Sequence, residues 1–286
     1  MAVFGPLVST DWLALNKGAS NVKIIDGSWR MPGAGNAVDS FNSQHISGAV
    51  FFNIDEVADT ASGLPHMLPS PEQFEEAVGA LSVAPTDLVV VYDDVGVFSA
   101  ARVWWTFRAM GHEKVAVLDG GLPKWLSEGR AVTSGVKPPA PVAYKARPID
   151  GAVASAADVR EALAAGLTVA DARPLERFHG TAPEPRPGLR SGHMPGAISL
   201  PHSELFNADG TMVSPSTIRE HLAACGVKSG NRIITSCGSG VTAAVLSLAI
   251  EVAGISDHAL YDGSWSEWGK EGNDNHLFSV VTDASE

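Results

Sequence analysis

A chain of 286 residues, 45% hydrophobic and 18% charged, is too long for one ordinary domain, suits two, and has too much core material for intrinsic disorder. Its formal net charge of −12 disfavours any role resting on attraction to nucleic acid or anionic lipid, yet leaves room for a local basic pocket holding a small anion. The longest apolar stretch, near Ala243–Ile250, falls far short of the roughly 20 residues that cross a bilayer. The start, MAVFGPLVST, lacks the basic region of a secretory signal, and two cysteines make no disulfide framework. The expectation is an acidic, soluble protein of the reducing cytoplasm.

In chain order, β-branched runs at Val22–Ile25, Val50–Phe52, Leu88–Tyr92 and Val115–Leu118 predict strands, with an apolar-rich helix over Ser99–Met110. Ser134–Asp150 holds Pro138, Pro139, Pro141 and Pro148 and predicts a stiff linker. Strands follow at Leu167–Ala170, Ala197–Leu200, Arg232–Ser236 and His258–Tyr261, with a helix over Val241–Ala253. The second set repeats the first. His45-Ile-Ser-Gly-Ala49 returns as His193-Met-Pro-Gly-Ala197, an offset of 148 residues, and Leu118-Asp-Gly-Gly121 returns as Tyr261-Asp-Gly-Ser264, an offset of 143. A period near half the chain means two homologous domains, not a solenoid. Strand–helix alternation with continuously apolar strands predicts the α/β class, two tandem domains each with a small parallel sheet flanked by helices. The expected boundaries are residues 1–135, a proline-rich linker at 136–150, and residues 151–286.

Arg232-Ile-Ile-Thr-Ser-Cys237-Gly-Ser-Gly-Val-Thr242 places a cysteine just past a strand, before a glycine-spaced loop and a helix. Amide N–H groups at the helix start, with the helix dipole, favour negative charge at the loop centre, and Gly238 and Gly240 permit the curvature that aims several N–H groups at one point. A sulfur anion there is a competent nucleophile. The matching position in the first half is Asp93, so that half has the scaffold without the sulfur. Three chemistries use such loops. Dinucleotide binding fits Gly238-x-Gly240-x-x-Ala243, but too little chain follows Asp262 to complete the sheet. A cysteine phosphatase needs an arginine six positions after the cysteine, where this chain has Ala243. Sulfur transfer, with the loop holding a persulfide anion, remains.

These segments resemble the two-domain rhodanese family, and within it the 3-mercaptopyruvate sulfurtransferase branch. The resemblance runs through His45–Phe52, Leu64-Pro-His-Met-Leu-Pro69, Ala101-Arg-Val-Trp-Trp105, Asp119–Trp125, Arg177–Arg190, Gly192–Ala197, Cys237–Ala243 and Tyr261–Trp268, and is most specific at Cys-Gly-Ser-Gly-Val-Thr. One departure is Ser47, where the family's motif has proline. The resemblance implies a catalytic second domain and a scaffolding first domain. It implies a Cys237 nucleophile in a loop of Gly238, Ser239, Gly240, Val241 and Thr242, with Arg177 and Arg186 holding the donor's carboxylate and keto groups. Either arginine has a second reading, a pairing with a surface acid such as Glu176 or Glu184. Arg173 is expected to order its loop through Asp171. The branch's Ser–His–Asp relay would take Ser239 and His45, with Asp39 as the local acid; alternatively His45 hydrogen-bonds a turn, as its repeat partner His193 would. Cys225 reads as core.

No metal-ligand spacing is present and the implied ping-pong scheme needs no cofactor. The implied partners are a small anionic thiol as donor and a thiol, cyanide or thioredoxin-type acceptor, with pyruvate released. Thiosulfate-preferring relatives have two basic residues after the cysteine, where this chain has Gly238 and Ser239, which points to 3-mercaptopyruvate as donor. The alternatives are a thiosulfate sulfurtransferase and a persulfide carrier without donor turnover.

Overall fold

The computed structural model describes residues 5–31, 33–135, 138–227 and 230–283. It divides into two units. The first comprises Met1–Asp59, Leu68–Ile149 and Phe206–Met212; the second comprises Thr60–Met67, Asp150–Leu205 and Val213–Glu286. Each unit therefore includes a short segment from the other half of the sequence, which the simple division at residues 136–150 does not contain.

The first unit has strands β1 (Leu7–Val8), β2 (Val22–Asp26), β3 (Ala49–Phe51), β4 (Leu88–Tyr92) and β5 (Val115–Leu118). They form a parallel sheet in the order β1-β5-β4-β2-β3. The second unit has β6 (Val153–Ala154), β7 (Thr168–Asp171), β8 (Ile198–Ser199), β9 (Ile233–Ser236) and β10 (His258–Tyr261), in the order β8-β7-β9-β10-β6. Read from the first strand of each unit, the two sheets have the same order, as the sequence repeat requires. The predicted strands and the helices Ser99–Ala109 and Val241–Val252 form within a residue or two of their expected bounds. The edge strands β1 and β6 are additional to the predicted ones: each is two residues long and stands in no longer β-branched run.

Helices on both faces bury the central strands completely: Val89, Val90, Val91 and Tyr92 have no exposed surface, which is why they read as a continuous apolar run. The Val241–Val252 helix is apolar all round for the same reason and is short. Among the described residues no helix is long and apolar enough to cross a membrane.

The expected stiff linker is corrected by its contacts. Residues 136 and 137 lie outside the described residues, but the chain from 138 to Ile149 docks on the first unit. Val142 N–H donates to the Gly79 carbonyl (3.0 Å), Arg147 N–H to Met110 (2.9 Å) and Ile149 N–H to Ala109 (2.8 Å). Tyr144 packs edge-on to Phe74, and its hydroxyl hydrogen-bonds His112 Nδ1 at 2.9 Å. Proline supplies an extended conformation that suits a strap as well as a spacer. Gly111 admits this strap: its φ is +82°, and a Cβ there would lie 2.1 Å from the Arg147 carbonyl oxygen. Gly111→Ala should therefore cost at least about 2 kcal/mol of stability, measured by urea unfolding, whereas an ordinary surface glycine would not.

Asp26 ends β2 inside the first unit, buried, and accepts the Ser28 N–H at 2.9 Å. Burial pushes its carboxyl from 3.8 up to about 6, against the hydrogen bonds from Ser28 and Tyr92 that lower it. A carboxyl raised in the folded state contributes best below its ordinary value, and that contribution is lost as pH rises through the folded value. Asp26→Asn should accordingly stabilise the protein by about 2–3 kcal/mol above pH 7 and by little near pH 4. Unfolding curves at the two pH values would show it.

Candidate active site

β9 runs into Cys237, which is 1% exposed, and the Val241–Val252 helix begins four residues later. Gly240 turns the chain into the helix with φ +79°, a conformation that favours glycine, and no side chain caps that helix start. The loop is pinned through its carbonyls. Trp265 N–H donates to the Cys237 carbonyl (2.9 Å), while Ser266 N–H (2.9 Å) and hydroxyl (2.7 Å) both donate to the Gly238 carbonyl. Cys237 N–H in turn donates to Ser264 Oγ at 3.3 Å, and the Ser264 hydroxyl donates to the Tyr261 carbonyl at 2.8 Å. Ser264 does this from a left-handed backbone, φ +48°, which is strain for a residue with a side chain and marks a position held by its surroundings. Ser239 and Val241 are buried and Thr242 is half-buried at the helix start, so all six residues from Cys237 to Thr242 form one short arc.

In the first unit, the loop after β4 is the counterpart of this arc. Asp93 takes the position of Cys237, its carbonyl accepting the Leu122 N–H as that of Cys237 accepts Trp265. Its own carboxylate accepts the N–H groups of Val95 (3.0 Å), Phe98 (2.7 Å) and Ala100 (2.8 Å). The first unit's loop is thus filled by a carboxyl of its own chain, which burial pushes up against the lowering effect of those N–H groups. The second unit carries sulfur at the same place.

Beyond β7 the chain carries the arginines. Arg177, on a short helix Leu175–Phe178, lies over the loop: a Cβ on Gly238 would sit 3.0 Å from Arg177 Nη2. The same guanidinium pairs with Glu184, through Nε to Oε1 at 3.3 Å and through Nη2 to Oε2. The acid-pairing reading of Arg177 is thus observed, with one change: Glu184 is no surface acid, its side chain being 1% exposed. Arg173 is fully buried and orders the loop as expected, binding Asp171 (2.7 Å), Glu184 (2.8 Å) and the Gly192 carbonyl (2.9 Å), with its guanidinium 4.1 Å over the Trp265 ring. Arg186 Nη2 donates to His66 Nε2 at 3.3 Å, since an arginine can only donate.

His66 is the residue that sequence reasoning missed. It is 6% exposed, has φ +61°, and belongs to the second unit although it stands among the residues of the first half. The available signal was its place in the resembling segment Leu64-Pro-His-Met-Leu-Pro69. His45 is placed otherwise. It is buried in the first unit, with Nδ1 on the Phe41 carbonyl (2.7 Å) and its ring stacked 4.2 Å from that of Phe41. Its repeat partner His193 has the same arrangement, with Nδ1 on the Phe178 carbonyl (2.9 Å) and a ring separation of 3.9 Å. This geometry favours the turn-holding reading of His45 over the relay, and Asp39 is exposed in the first turn of the Ala37–Ser43 helix. Cys225 caps the Pro215–Ala224 helix with its Sγ 3.5 Å from the Ser199 carbonyl, and burial, with Glu204 nearby, pushes its thiol up and away from reactivity. Both cysteines are free thiols. Among the described residues no cluster of three or more His, Cys, Asp or Glu is arranged to hold a metal.

Two α/β units with parallel sheets of one order, the second carrying a buried cysteine on a glycine-spaced loop with Arg177 beside it, define a tandem α/β class. The rhodanese-like domain model matches residues 9–128 and 155–271, and the chain belongs to that family. It is 39% identical over 270 residues to human 3-mercaptopyruvate sulfurtransferase, covering 92% of this chain and 91% of that protein. Identity to the rat thiosulfate sulfurtransferase is also 39%, over 274 residues, covering 93% and 92% of the two chains. Among solved structures, SseA of Escherichia coli, a protein described with the 3-mercaptopyruvate enzymes, superposes with a TM-score of 0.84 at 38% identity, covering 92% of this chain and 100% of that one. The protein is an enzyme of the sulfurtransferase class.

Proposed function

We propose that the protein transfers sulfur from 3-mercaptopyruvate through a persulfide on Cys237 to a thiol, cyanide or thioredoxin-type acceptor. The observation that carries this reading is Arg177 poised over Gly238, beside a buried cysteine on a helix-start loop. The Cys237 thiolate attacks the donor sulfur, and the carbon–sulfur bond breaks with its electron pair moving into the keto group, giving the enolate of pyruvate. The proton of the donor thiol passes to that enolate, so that pyruvate leaves and a persulfide anion remains in the loop. Arg177 and Arg186 hold the donor's carboxylate and keto oxygens, and the N–H groups from Ser239 to Thr242 hold the anionic sulfur. Ser239, two residues after Cys237, would pass the proton, and His66, whose Nε2 accepts from Arg186, offers a second histidine besides His45 for this role. The acceptor thiolate then takes the outer sulfur. The same reading puts the enzyme in a reducing compartment, the cytoplasm, where the Cys237 thiol stays available between turnovers.

Steady-state formation of pyruvate and sulfide from 3-mercaptopyruvate plus a thiol tests the reading. Pyruvate released only once per protein molecule would mean a carrier, and none at all would reject the proposal. Donor choice is a separate expectation. The segment from Cys237 to Thr242 has no basic side chain, so 3-mercaptopyruvate should exceed thiosulfate in kcat/KM by at least about tenfold, or 1.4 kcal/mol. Equal or better use of thiosulfate would reverse that assignment.

A further inference from the structure

The loop has no cation of its own, yet Arg177 stands over it, and a cation at that distance would favour the dianion thiosulfate. What lies behind Arg177 changes this. Asp171, Arg173, Glu184 and Arg177 form one linked chain: Arg173 Nη2 to Asp171 Oδ2 at 2.7 Å, Arg173 Nη1 to Glu184 Oε1 at 2.8 Å, and Arg177 Nε to the same oxygen at 3.3 Å. It holds two positive and two negative charges. Three members are buried, with side chains at most 1% exposed, and only Arg177, at 22%, reaches the surface of the site. Water therefore does little to screen the Glu184 carboxylate from the cation it touches.

We propose that Glu184 is a positioning residue that sets the charge of donor the site accepts. It holds the Arg177 fork in place and cancels most of that arginine's net field at the loop. The second charge of a dianion then gains little. A monoanion with its carboxylate remote from the sulfur still gains the directional hydrogen bonds of the guanidinium, which depend on geometry more than on net charge. This deepens the proposed reaction and rests on it for the identity of the monoanionic donor.

The test is Glu184→Gln, which keeps the side chain's shape and one acceptor oxygen while leaving the chain of charges at +1, together with Glu184→Asp, which keeps the charge. The Gln variant should raise the thiosulfate to 3-mercaptopyruvate ratio of kcat/KM at least about tenfold, mainly by lowering KM for thiosulfate. The Asp variant should move the ratio less than about threefold. A merely structural role would lower both donors together, and that result, or an unmoved ratio in a folded Gln variant, overturns the proposal. Should the Gln variant not fold, inhibition of the wild-type enzyme at constant ionic strength decides: propionate, a monoanion, should inhibit more strongly than sulfate, and the reverse order overturns it. The thiosulfate KM and the anion comparison do not need 3-mercaptopyruvate turnover. Absence of 3-mercaptopyruvate turnover would therefore leave this inference to be decided by the thiosulfate KM and the anion comparison, and its failure would leave the donor assignment untouched.

Discussion

Cys237→Ser should abolish the protein adduct one sulfur atom heavier that forms on mixing with donor, and should lower turnover at least about 10³-fold. The size of the effect follows from the chemistry of the atom. A serine hydroxyl ionises far less readily than a thiol, and oxygen attacks divalent sulfur poorly, so the loop's N–H groups would face a neutral group with nothing to stabilise. The fold should survive, because the Cys237 contacts that define the loop are made by its backbone, through Ser264 and Trp265. Cys225→Ser is the internal control. That thiol sits on the Ser199 carbonyl at a helix end, is pushed up by burial and Glu204, and should leave adduct formation intact. Intact-mass measurement of both variants after donor treatment reads the result, and an adduct persisting in Cys237→Ser would move the nucleophile elsewhere.

Arg177→Ala should reduce kcat/KM for 3-mercaptopyruvate about 100-fold, or roughly 3 kcal/mol, as expected when a hydrogen-bonded charge is truncated. Two costs combine. The donor loses the fork, and Glu184 keeps its charge with only Arg173 to balance it, which leaves the linked chain at −1 beside an anionic substrate. Thiosulfate turnover should fall as well. Arg177→Lys keeps the charge but not the planar fork and should recover only part of the 3-mercaptopyruvate activity. Combining Arg177→Ala with Glu184→Gln separates the two costs, restoring neutrality without restoring the fork. Thiosulfate should recover more than 3-mercaptopyruvate does, as steady-state kinetics of the four proteins would reveal.

Much of this protein was legible before any coordinates. The two-fold repeat, the parallel α/β class, the central strands and the Cys237 loop all depend on short-range features: apolar runs buried on both faces, glycines where the backbone must turn, and a helix start next to a cysteine. Such features act within a dozen residues and are written in order along the chain. Arg173 likewise reached Asp171, two residues away.

The tertiary structure decided what depends on contacts far apart in sequence. The prolines of 138–148 suggested a spacer, but Gly79, Met110 and Gly111 give that stretch a surface to bind, and a docking site many residues away leaves no mark on the stretch itself. The sequence singled out His45 and gave His66 no role. His45 is held by Phe41 in the first unit, and His66 crosses into the second to meet Arg186, 120 residues later. Glu184 looked like a surface acid because Glu usually is one; folding closes it between two guanidinium groups, where a charge can stay buried. Composition and spacing set the fold and the Cys237 loop because those are local or repeated. The pairing of charges around that loop belongs to the folded chain, since a buried carboxylate is defined by the partners that surround it in space.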